Sequence, residues 1–281
     1  MLLACLFFAL NDTLVKYVVK QLGDDYSLFS VVFIRAIFTS ILIFLSIIIF
    51  KKFDFKKLFF DKRSYLRGLF ETLAAFTFLT GLMLMPMADT YTLLNTMPLI
   101  VTASGAIFLG EKVGIRRWSA VIVGFIGVLI VINPSNLKFG FLFILPILSA
   151  IFLTMRDVVT RGYTNTSNSL EIIFITSFLV TISFGIISIF FPISLNLENI
   201  LYIGVASITL VLAYFFSVLT IIYAPLSLTS SSRYSVIVFG IILGYAFFNE
   251  IPSSNMIIGA VIISLSGLFV INREKKIGKI K

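Results

Sequence analysis

The sequence contains no histidine and a single cysteine, Cys5, among its 281 residues. One thiol cannot form an internal disulfide, and without histidine the usual zinc sites and histidine-based catalytic pairs are excluded. Asp, Glu, Lys and Arg make up only 12% of the chain, about half the share found in soluble domains. These absences weaken most enzyme classes, so we expect no catalytic site, no metal ion and no cofactor.

Two sequence motifs are also missing. The chain has no GxxxxGK[ST] motif, the loop that cradles nucleotide phosphates, so work driven by its own ATP hydrolysis is not supported. The first five residues, MLLAC, carry no basic segment ahead of the apolar run, as a secretory signal peptide would. We therefore expect no cleaved leader.

Apolar residues are abundant instead: they make up 59% of the chain, and the mean hydropathy is +1.09. Five long windows contain no charge, at 90–110, 118–137, 172–197, 199–232 and 251–272. About 20 apolar residues in a helix cross a bilayer, so the sequence predicts an integral membrane protein. The stretches are too long and too uniformly apolar for the alternating strands of a membrane barrel.

Turn signals divide the chain into ten segments of this kind. The window 199–232 is too long for one span and is divided at Pro225, because proline ends a helix. The predicted fold is therefore all-α, with ten transmembrane helices at about 2–20, 27–50, 65–84, 88–109, 115–133, 139–160, 168–191, 197–221, 226–248 and 253–272.

Basic residues are distributed unevenly between the two sides of this topology. Seventeen Lys and Arg lie at junctions on the side that holds both termini, against only Lys16, Lys20 and Lys138 at or near the other side. The positive-inside rule then predicts cytoplasmic termini, in the inner membrane of a bacterium. The basic loop from Lys51 to Arg67, with its interleaved phenylalanines, suits adsorption to anionic lipid, and nucleic-acid binding is not expected.

The second half of the sequence repeats features of the first. Two pairs of segments are 139 residues apart: Gly110-Glu111 with Asn249-Glu250, and Val131-Ile132-Asn133 with Val270-Ile271-Asn272. The positions suggest that each segment closes a span, the fourth and ninth in the first pair and the fifth and tenth in the second.

A shorter repeat places Asp12 and Lys16 in the first half and Asp157 and Arg161 in the second, 145 residues apart. An odd number of spans in each half makes the two halves cross the membrane in opposite directions. Secondary transporters use such inverted repeats around a central site, so we expect a transporter. A duplicated membrane scaffold that does not transport is the alternative.

These features resemble the drug/metabolite transporter superfamily, in its ten-helix EamA-type branch. The resemblance covers nearly the whole chain and rests on the five-plus-five arrangement, the two Glu-containing segment ends, Pro98 in the fourth span and Arg67-Gly68 in the third. It implies two EamA-type five-helix repeats, at 1–133 and 139–272, and a basic cytoplasmic tail at 273–281. One departure is the short lead of ten residues before Asn11.

Several stretches are further similar to bacterial S-adenosylmethionine uptake transporters. These are Asn11-Asp12 with Lys16-Tyr17, Phe33-Ile34-Arg35, Arg233-Tyr234, and Phe248 through Pro252. The resemblance implies transport of a small metabolite.

Two arginines lie well inside predicted spans, where a charge costs at least ~2.5–3.5 kcal/mol and marks a functional site. Arg35 lies eight residues into the second span, about 12 Å from its end. We expect it to face a cavity and bind a carboxylate or phosphate; a structural ion pair with Asp12 or Glu71 is the alternative. Arg233, beside Tyr234, is expected to be a second cavity cation unless it reaches back to the headgroups.

Asp12 is the acidic group of the predicted site. If it faces the cavity, it can bind a substrate ammonium group or carry a coupling proton. The alternative is an (i, i+4) ion pair with Lys16 that neutralises both charges.

The fourth span offers polar groups near its centre. Pro98 removes one helix hydrogen bond and frees a carbonyl near Leu94, beside Asn95 and one turn from Tyr91. Broken helices of this kind present polar groups to substrates in transporters, although a kink that serves packing alone is the alternative. Asp89 is expected to cap the N-terminus of this helix.

Other polar and small residues are assigned to structure. The Gly240-x-x-x-Gly244 motif is expected to pack within the bundle. Glu111 and Glu250 are expected to organise the turns after their helices, and Asp157 with its flanking arginines to anchor the topology.

The predicted substrate-binding residues are Asp12, Arg35, Tyr91, Asn95, Arg233 and Tyr234. We expect a secondary transporter that moves a small polar metabolite by alternating access. A zwitterion such as an amino acid derivative or S-adenosylmethionine fits, with its carboxylate on an arginine, its ammonium on the aspartate and a sulfonium or aromatic group over a tyrosine. Expected partners are this substrate, membrane lipid, and a coupling proton or counter-substrate, with the chain as a monomer or homodimer. Export of amino acids, other metabolites or drugs is the alternative.

Overall fold

The computed structural model describes residues 1–49, 62–108, 114–133, 140–161, 169–223 and 233–276. Every regular element in these ranges is an α-helix, which confirms the predicted all-helical membrane fold. The helices are α1 (Leu2–Leu22), α2 (Ser27–Ile49), α3 (Lys62–Leu84), α4 (Met87–Leu94), α5 (Met97–Phe108), α6 (Ile115–Ile132), α7 (Ile144–Arg161), α8 (Ser169–Ser188), α9 (Leu197–Tyr223), α10 (Ser235–Phe248) and α11 (Ser254–Lys276).

Some of the sequence-based predictions lie outside the described residues. They concern most of the basic loop, Glu111, Lys138, and the end of the tail. The side chains of Asp157 and Arg161 are outside them as well.

The ten predicted spans correspond to these helices. Five helices, α1, α2, α3, α9 and α11, contain segments long and apolar enough to cross a membrane, and α6, α7, α8 and α10 contain shorter apolar stretches. The predicted fourth span is divided into α4 and α5. Large apolar side chains stay exposed on the outer surface, for example Leu129 at 55% and Leu265 at 62%. Such a surface suits lipid rather than water.

Left-handed residues end three of the helices. Gly23 follows α1 with φ 73°, Asn133 follows α6 with φ 48°, and Asn249 follows α10 with φ 53°. Glycine and asparagine are the residues that adopt this conformation most readily. Asn272, the repeat partner of Asn133, behaves differently, because α11 continues past it to Lys276. The apolar part of α11 nevertheless ends at Arg273, next to the predicted end of the tenth span.

Helix packing follows the order of the two halves. Four helix pairs make the most extensive contacts. Two of them, α6 with α11 and α2 with α8, join helices that hold equivalent places in the two halves. The other two, α3 with α7 and α1 with α9, are equivalent to each other, because α3 corresponds to α9 and α7 corresponds to α1. This is the contact pattern of two similar five-helix halves related by a pseudo-two-fold axis.

Glycines allow close approach at two interfaces. A Cβ atom on Gly259 would lie 2.7 Å from the carbonyl oxygen of Gly127, so α11 and α6 touch through their backbones. A Cβ atom on Gly240 would lie 2.5 Å from the Tyr91 ring, and one on Gly244 would lie 2.9 Å from Glu250 Oε2. The predicted packing of the glycine motif within the bundle is thus confirmed.

Successive spans alternate in direction. The start of α1, the end of α2 and the end of α11 therefore lie on one side of the bundle, here called the terminal side. The end of α1, the start of α4 and the end of α10 lie on the other, here called the distal side.

Candidate functional site

A cavity of about 300 Å³ lies between the helices. Its described lining comes from α1 to α5 and α7 to α10, while α6 and α11 contribute no lining residue there. Along α1 the lining extends from Met1 to Asp12, about 16 Å of helix at 1.5 Å per residue. The cavity therefore reaches from the terminal side to the middle of the bundle.

Four buried polar residues, here called the inner cluster, lie at the deep end of the cavity: Asn11, Asp12, Arg35 and Tyr91. The Tyr91 hydroxyl donates to Asp12 Oδ2 at 2.7 Å, and Asn11 Nδ2 donates to Asp12 Oδ1 at 2.8 Å. Arg35 Nη1 donates to Asn11 Oδ1 at 3.1 Å. The Asn11 amide thus connects the carboxylate and the guanidinium.

Arg35 forms no direct ion pair among the described residues. Its Nε atom is buried and has no hydrogen-bond partner there, and only 5% of the residue is exposed. A buried charged group with a free donor is costly unless a ligand or water satisfies it. The arrangement therefore favours a ligand-binding role for Arg35 over a purely structural ion pair.

Lys16 does not pair with Asp12, contrary to the sequence-based alternative. Its Nζ atom donates to Glu250 Oε1 at 2.7 Å and to the Met85 carbonyl at 2.8 Å. Glu250 Oε2 accepts a bond of 2.7 Å from the backbone NH of Met87. Glu250 therefore meets the N-terminus of α4, where the helix dipole favours an anion. Its side chain joins α1 to α4, and these bonds do not lie in the turn after α10, where the sequence predicts its role.

The break between α4 and α5 occurs where the sequence predicts it. The backbone NH and side-chain amide of Asn95 both donate to the Tyr91 carbonyl, and Thr96 donates twice to the Leu93 carbonyl. Pro98 cannot donate to Leu94, and no described group does. Leu94, whose carbonyl is freed, lines the cavity, and so does Asn95. The predicted freed carbonyl is confirmed.

Asp89 is not the N-cap residue of α4. That position is held by Pro86, without a side-chain capping bond. Asp89 lies in the first turn instead, where a negative charge still suits the helix dipole. Proline displaces the predicted cap because it fixes the backbone just ahead of the helix.

The two neighbouring residues at the start of α10 are placed differently. Arg233 lines the cavity, and its backbone carbonyl lies 3.9 Å from the Cys5 thiol. Tyr234 is not among the lining residues: it packs against Gly267 of α11, and its hydroxyl has no partner in the described part of the chain. The geometry thus brings five of the six predicted binding residues to one cavity and leaves Tyr234 outside it.

A second polar group, here called the outer cluster, lines the cavity nearer the terminal side: Arg67, Glu71, Arg156 and Tyr214. Arg156 Nη1 donates to Glu71 Oε2 at 2.8 Å, and the Tyr214 hydroxyl donates to Glu71 Oε1 at 3.3 Å. Arg67 donates to the Thr176 hydroxyl. Glu71 thus pairs with Arg156 rather than with Arg35.

The sequence does not mark the outer cluster as a site. Arg67 and Arg156 are among the basic residues that orient the helices, and Glu71 is a possible partner for Arg35. The (i, i+4) spacing of Arg67 and Glu71 on one helix was the available signal, because both then face the same way. The cavity lining contains four arginines against two acidic residues. It therefore favours a ligand that carries a carboxylate or other acceptor groups.

The described residues contain no group of three His, Cys, Asp or Glu side chains able to hold a metal ion. The side chains that line the cavity supply charged hydrogen-bonding groups and aromatic faces. Phe78 lies 5.7 Å from Tyr91 and Phe8 lies 5.7 Å from Tyr214, measured between ring centroids.

Comparisons with known proteins agree with this architecture. Residues 1–133 match the EamA-like transporter family. An S-adenosylmethionine uptake transporter of Rickettsia conorii is 27% identical, over 98% of this chain and 92% of its own length. A riboflavin transporter of Rhizobium johnstonii is 25% identical over 76% of this chain and 71% of its own. A pseudopaline exporter of Pseudomonas aeruginosa is 26% identical over 75% and 74%.

One solved crystal structure has the same fold, with a TM-score of 0.62 and 13% identity over 97% of this chain and 98% of that chain. The helices, the central cavity and the named relatives lead to one assignment. The chain is a membrane transporter of small metabolites, and its residues 1–133 match the EamA-like transporter family.

Proposed function

We propose that this transporter carries a zwitterionic, amino-acid-like metabolite, with S-adenosylmethionine as the first candidate. The observation that carries the proposal is the inner cluster, in which Asn11 connects Asp12 and Arg35 at the deep end of the cavity. A fixed anion and a fixed cation side by side match the ammonium and carboxylate of an amino acid head group.

Each charge in the inner cluster has a role in this proposal. The substrate carboxylate binds the Arg35 guanidinium, whose Nε donor is unused among the described residues. The substrate ammonium binds Asp12, and the freed Leu94 carbonyl offers a second acceptor. A sulfonium or an aromatic ring lies over the faces of Tyr91 and Phe78, because a cation is attracted to an aromatic face.

Transport follows alternating access without ATP hydrolysis in this proposal. The cavity reaches the terminal side, while Lys16 and Glu250 join α1 to the segment after α10 on the distal side. The repeats at 1–133 and 139–272 exchange these roles when the site opens to the distal side. We assign the terminal side to the cytoplasm of a bacterial inner membrane, supported by its seventeen basic residues. A coupling proton or a counter-substrate drives the cycle.

The test is uptake of labelled S-adenosylmethionine into vesicles that contain the purified protein. Arg35→Gln and Asp12→Asn are expected to lower uptake at least about tenfold, since a hydrogen bond to a charged group contributes roughly 1.5–3 kcal/mol. Arg116→Gln is the matched control, because Arg116 is exposed at the start of α6, away from the cavity. Unchanged uptake in both cluster variants, at equal abundance, would contradict the proposal.

Export of the metabolite is the second candidate. It is favoured by the pseudopaline exporter among the relatives and by a cavity that reaches the terminal side, from which a cytoplasmic substrate would enter. Comparing inside-out with right-side-out vesicles under the same ion gradients decides the direction. Accumulation only in inside-out vesicles would establish export and contradict uptake.

A further inference from the structure

We infer that Glu71 and Arg156 form a second recognition point for the substrate, so that the cavity selects molecules with two polar ends roughly 10 Å apart. This inference rests on the proposed function for the inner end of the substrate. It names the residues that bind the other end of the substrate, for which the inner cluster offers no partner.

The separation of the two points follows from α3. Phe78 contacts Tyr91 of the inner cluster, and Glu71 lies seven residues earlier on the same helix. Both Phe78 and Glu71 line the cavity, so they lie on one face of α3. Seven residues of helix measure about 10 Å, so Glu71 lies about 10 Å along α3 from the phenylalanine that contacts Tyr91.

The contacts of Glu71 and Arg156 suit exchange with a ligand. Both side chains line the cavity and keep 12% and 15% of their surface exposed. The bond from the Tyr214 hydroxyl to Glu71 Oε1 is 3.3 Å long, near the long end of the hydrogen-bond range. A ligand that offers an acceptor to Arg156 and a donor to Glu71 can replace the ion pair without leaving either charge bare.

The wall between the two points is apolar and roomy. Phe8 and Phe78 present rings to the cavity, and Ala74 and Ala75 lie on α3 between Glu71 and Phe78. Small and aromatic residues favour a planar or apolar middle section of the substrate.

Arginine outnumbers acid at the outer end. Arg67, Arg156 and Arg233 line the cavity there with Glu71, and a guanidinium binds planar acceptor groups through its forked donors. The inferred substrate class is therefore an amino acid head joined through an apolar or aromatic section to an acceptor-rich end, such as a polar heterocycle or a hydroxylated sugar.

The first experiment needs no ligand and compares two double variants by thermal unfolding. Glu71→Met/Arg156→Met is expected to keep the melting temperature within about 2 °C of the wild type, because replacing a paired charge couple by apolar residues is often neutral. Lys16→Met/Glu250→Met is expected to lower it by several degrees, since the Met85 carbonyl and the Met87 NH lose their partners. An equal fall for both would make the Glu71–Arg156 pair a structural link and overturn the inference.

The second experiment uses two probes of different length, L-methionine and S-adenosylmethionine, with affinities measured by calorimetric titration. Glu71→Gln and Arg156→Gln are expected to weaken binding of the longer probe about tenfold and of L-methionine less than about twofold. Asp12→Asn is expected to weaken both. Equal weakening of both probes by Glu71→Gln, or no effect on either, would overturn two-point recognition.

Failure of the proposed function gives a different result. If the wild type binds neither probe, the amino-acid-like substrate is excluded, and the thermal comparison of the two double variants alone decides whether Glu71 and Arg156 hold the helices together. If the wild type binds both probes and only the inner-cluster variants change affinity, the proposed function is supported and the second recognition point is contradicted.

Discussion

Two ion pairs lie in different parts of this bundle, and they are held in different ways. Lys16 and Glu250 join α1 to the end of α10, and each also bonds a backbone group, at Met85 and Met87. Neither lines the cavity. Glu71 and Arg156 join α3 to α7 at a similar distance, but both line the cavity.

The difference shows what each pair can do. A charge that also satisfies backbone donors and acceptors cannot leave without exposing them, so the distal pair stabilises one arrangement of the helices. A charge that faces a cavity can change partners, because water or a ligand can take the place of the opposite charge. The same kind of ion pair thus holds helices together on the distal side and can take part in substrate recognition in the outer cluster.

The largest effect is expected from Lys16→Met. Lys16 is 1% exposed, and its loss leaves Glu250 without its cation, the situation that costs about 3–5 kcal/mol for buried pairs. We expect a clear fall in melting temperature and in the yield of folded protein. Size-exclusion profiles and thermal unfolding in the same detergent measure both.

Lys20→Met is the matched control for this change. Lys20 is exposed and lies 4.9 Å from the same Phe248 ring that Lys16 approaches at 5.1 Å. The two substitutions remove similar contacts with the aromatic face but only one removes the ion pair. Equal destabilisation by both would mean that the ring contact, and not Glu250, makes Lys16 important.

A smaller effect is expected from Gly244→Ala. Alanine gains up to about 1 kcal/mol of helix propensity over glycine, but its Cβ would lie 2.9 Å from Glu250 Oε2. That carboxylate is held by Lys16 and Met87, so it cannot move aside cheaply. We expect a lower melting temperature in the wild-type background and little change or a gain in the Lys16→Met background.

Gly204→Ala provides the control, because a Cβ on Gly204 meets no atom within 4 Å. It should show the helix-propensity gain alone. If Gly244→Ala behaves like Gly204→Ala in both backgrounds, the distal carboxylate is not held in place as the contacts indicate.

The fold and the deep end of the candidate site can be predicted from the sequence for the same physical reason. Lipid demands long apolar helices and makes a charge in their middle expensive. The spans, Arg35 and Asp12 therefore stood out. Pro98 stood out because it removes one specific hydrogen bond, and the freed Leu94 carbonyl lies where that bond would have been.

The outer cluster and the distal pair could not be found in this way. Charge counting treats every arginine near a span end as a topology signal, and Arg156 lies near such an end although it lines the cavity. The partner of Lys16 is 234 residues away, whereas Asp12 is only four residues away on the same helix. Sequence spacing favours a pair between Lys16 and Asp12. The packing of α1 against α10 makes Glu250 the partner of Lys16 instead.

A modest effect on stability and a large one on recognition are expected from Arg156→Met. Glu71 lines the cavity, where water can solvate its charge, so the unfolding free energy should fall by less than the about 3–5 kcal/mol expected for Lys16→Met. Affinity for S-adenosylmethionine should fall about tenfold. A loss of stability as large as that of Lys16→Met would remove the contrast between the two pairs.

The smallest effect is expected from Tyr214→Phe, and its comparison with Tyr91→Phe separates the two ends of the cavity. Tyr214 donates to Glu71 at 3.3 Å, whereas Tyr91 donates to Asp12 at 2.7 Å. A long bond beside a cavity contributes roughly 0.5 kcal/mol, while a short, buried bond to a carboxylate contributes roughly 1.5–3 kcal/mol. Thermal unfolding and L-methionine titration should therefore change clearly with Tyr91→Phe and hardly with Tyr214→Phe. The reverse order would show that the outer hydroxyl, and not the inner one, fixes the carboxylate that the amino acid head requires.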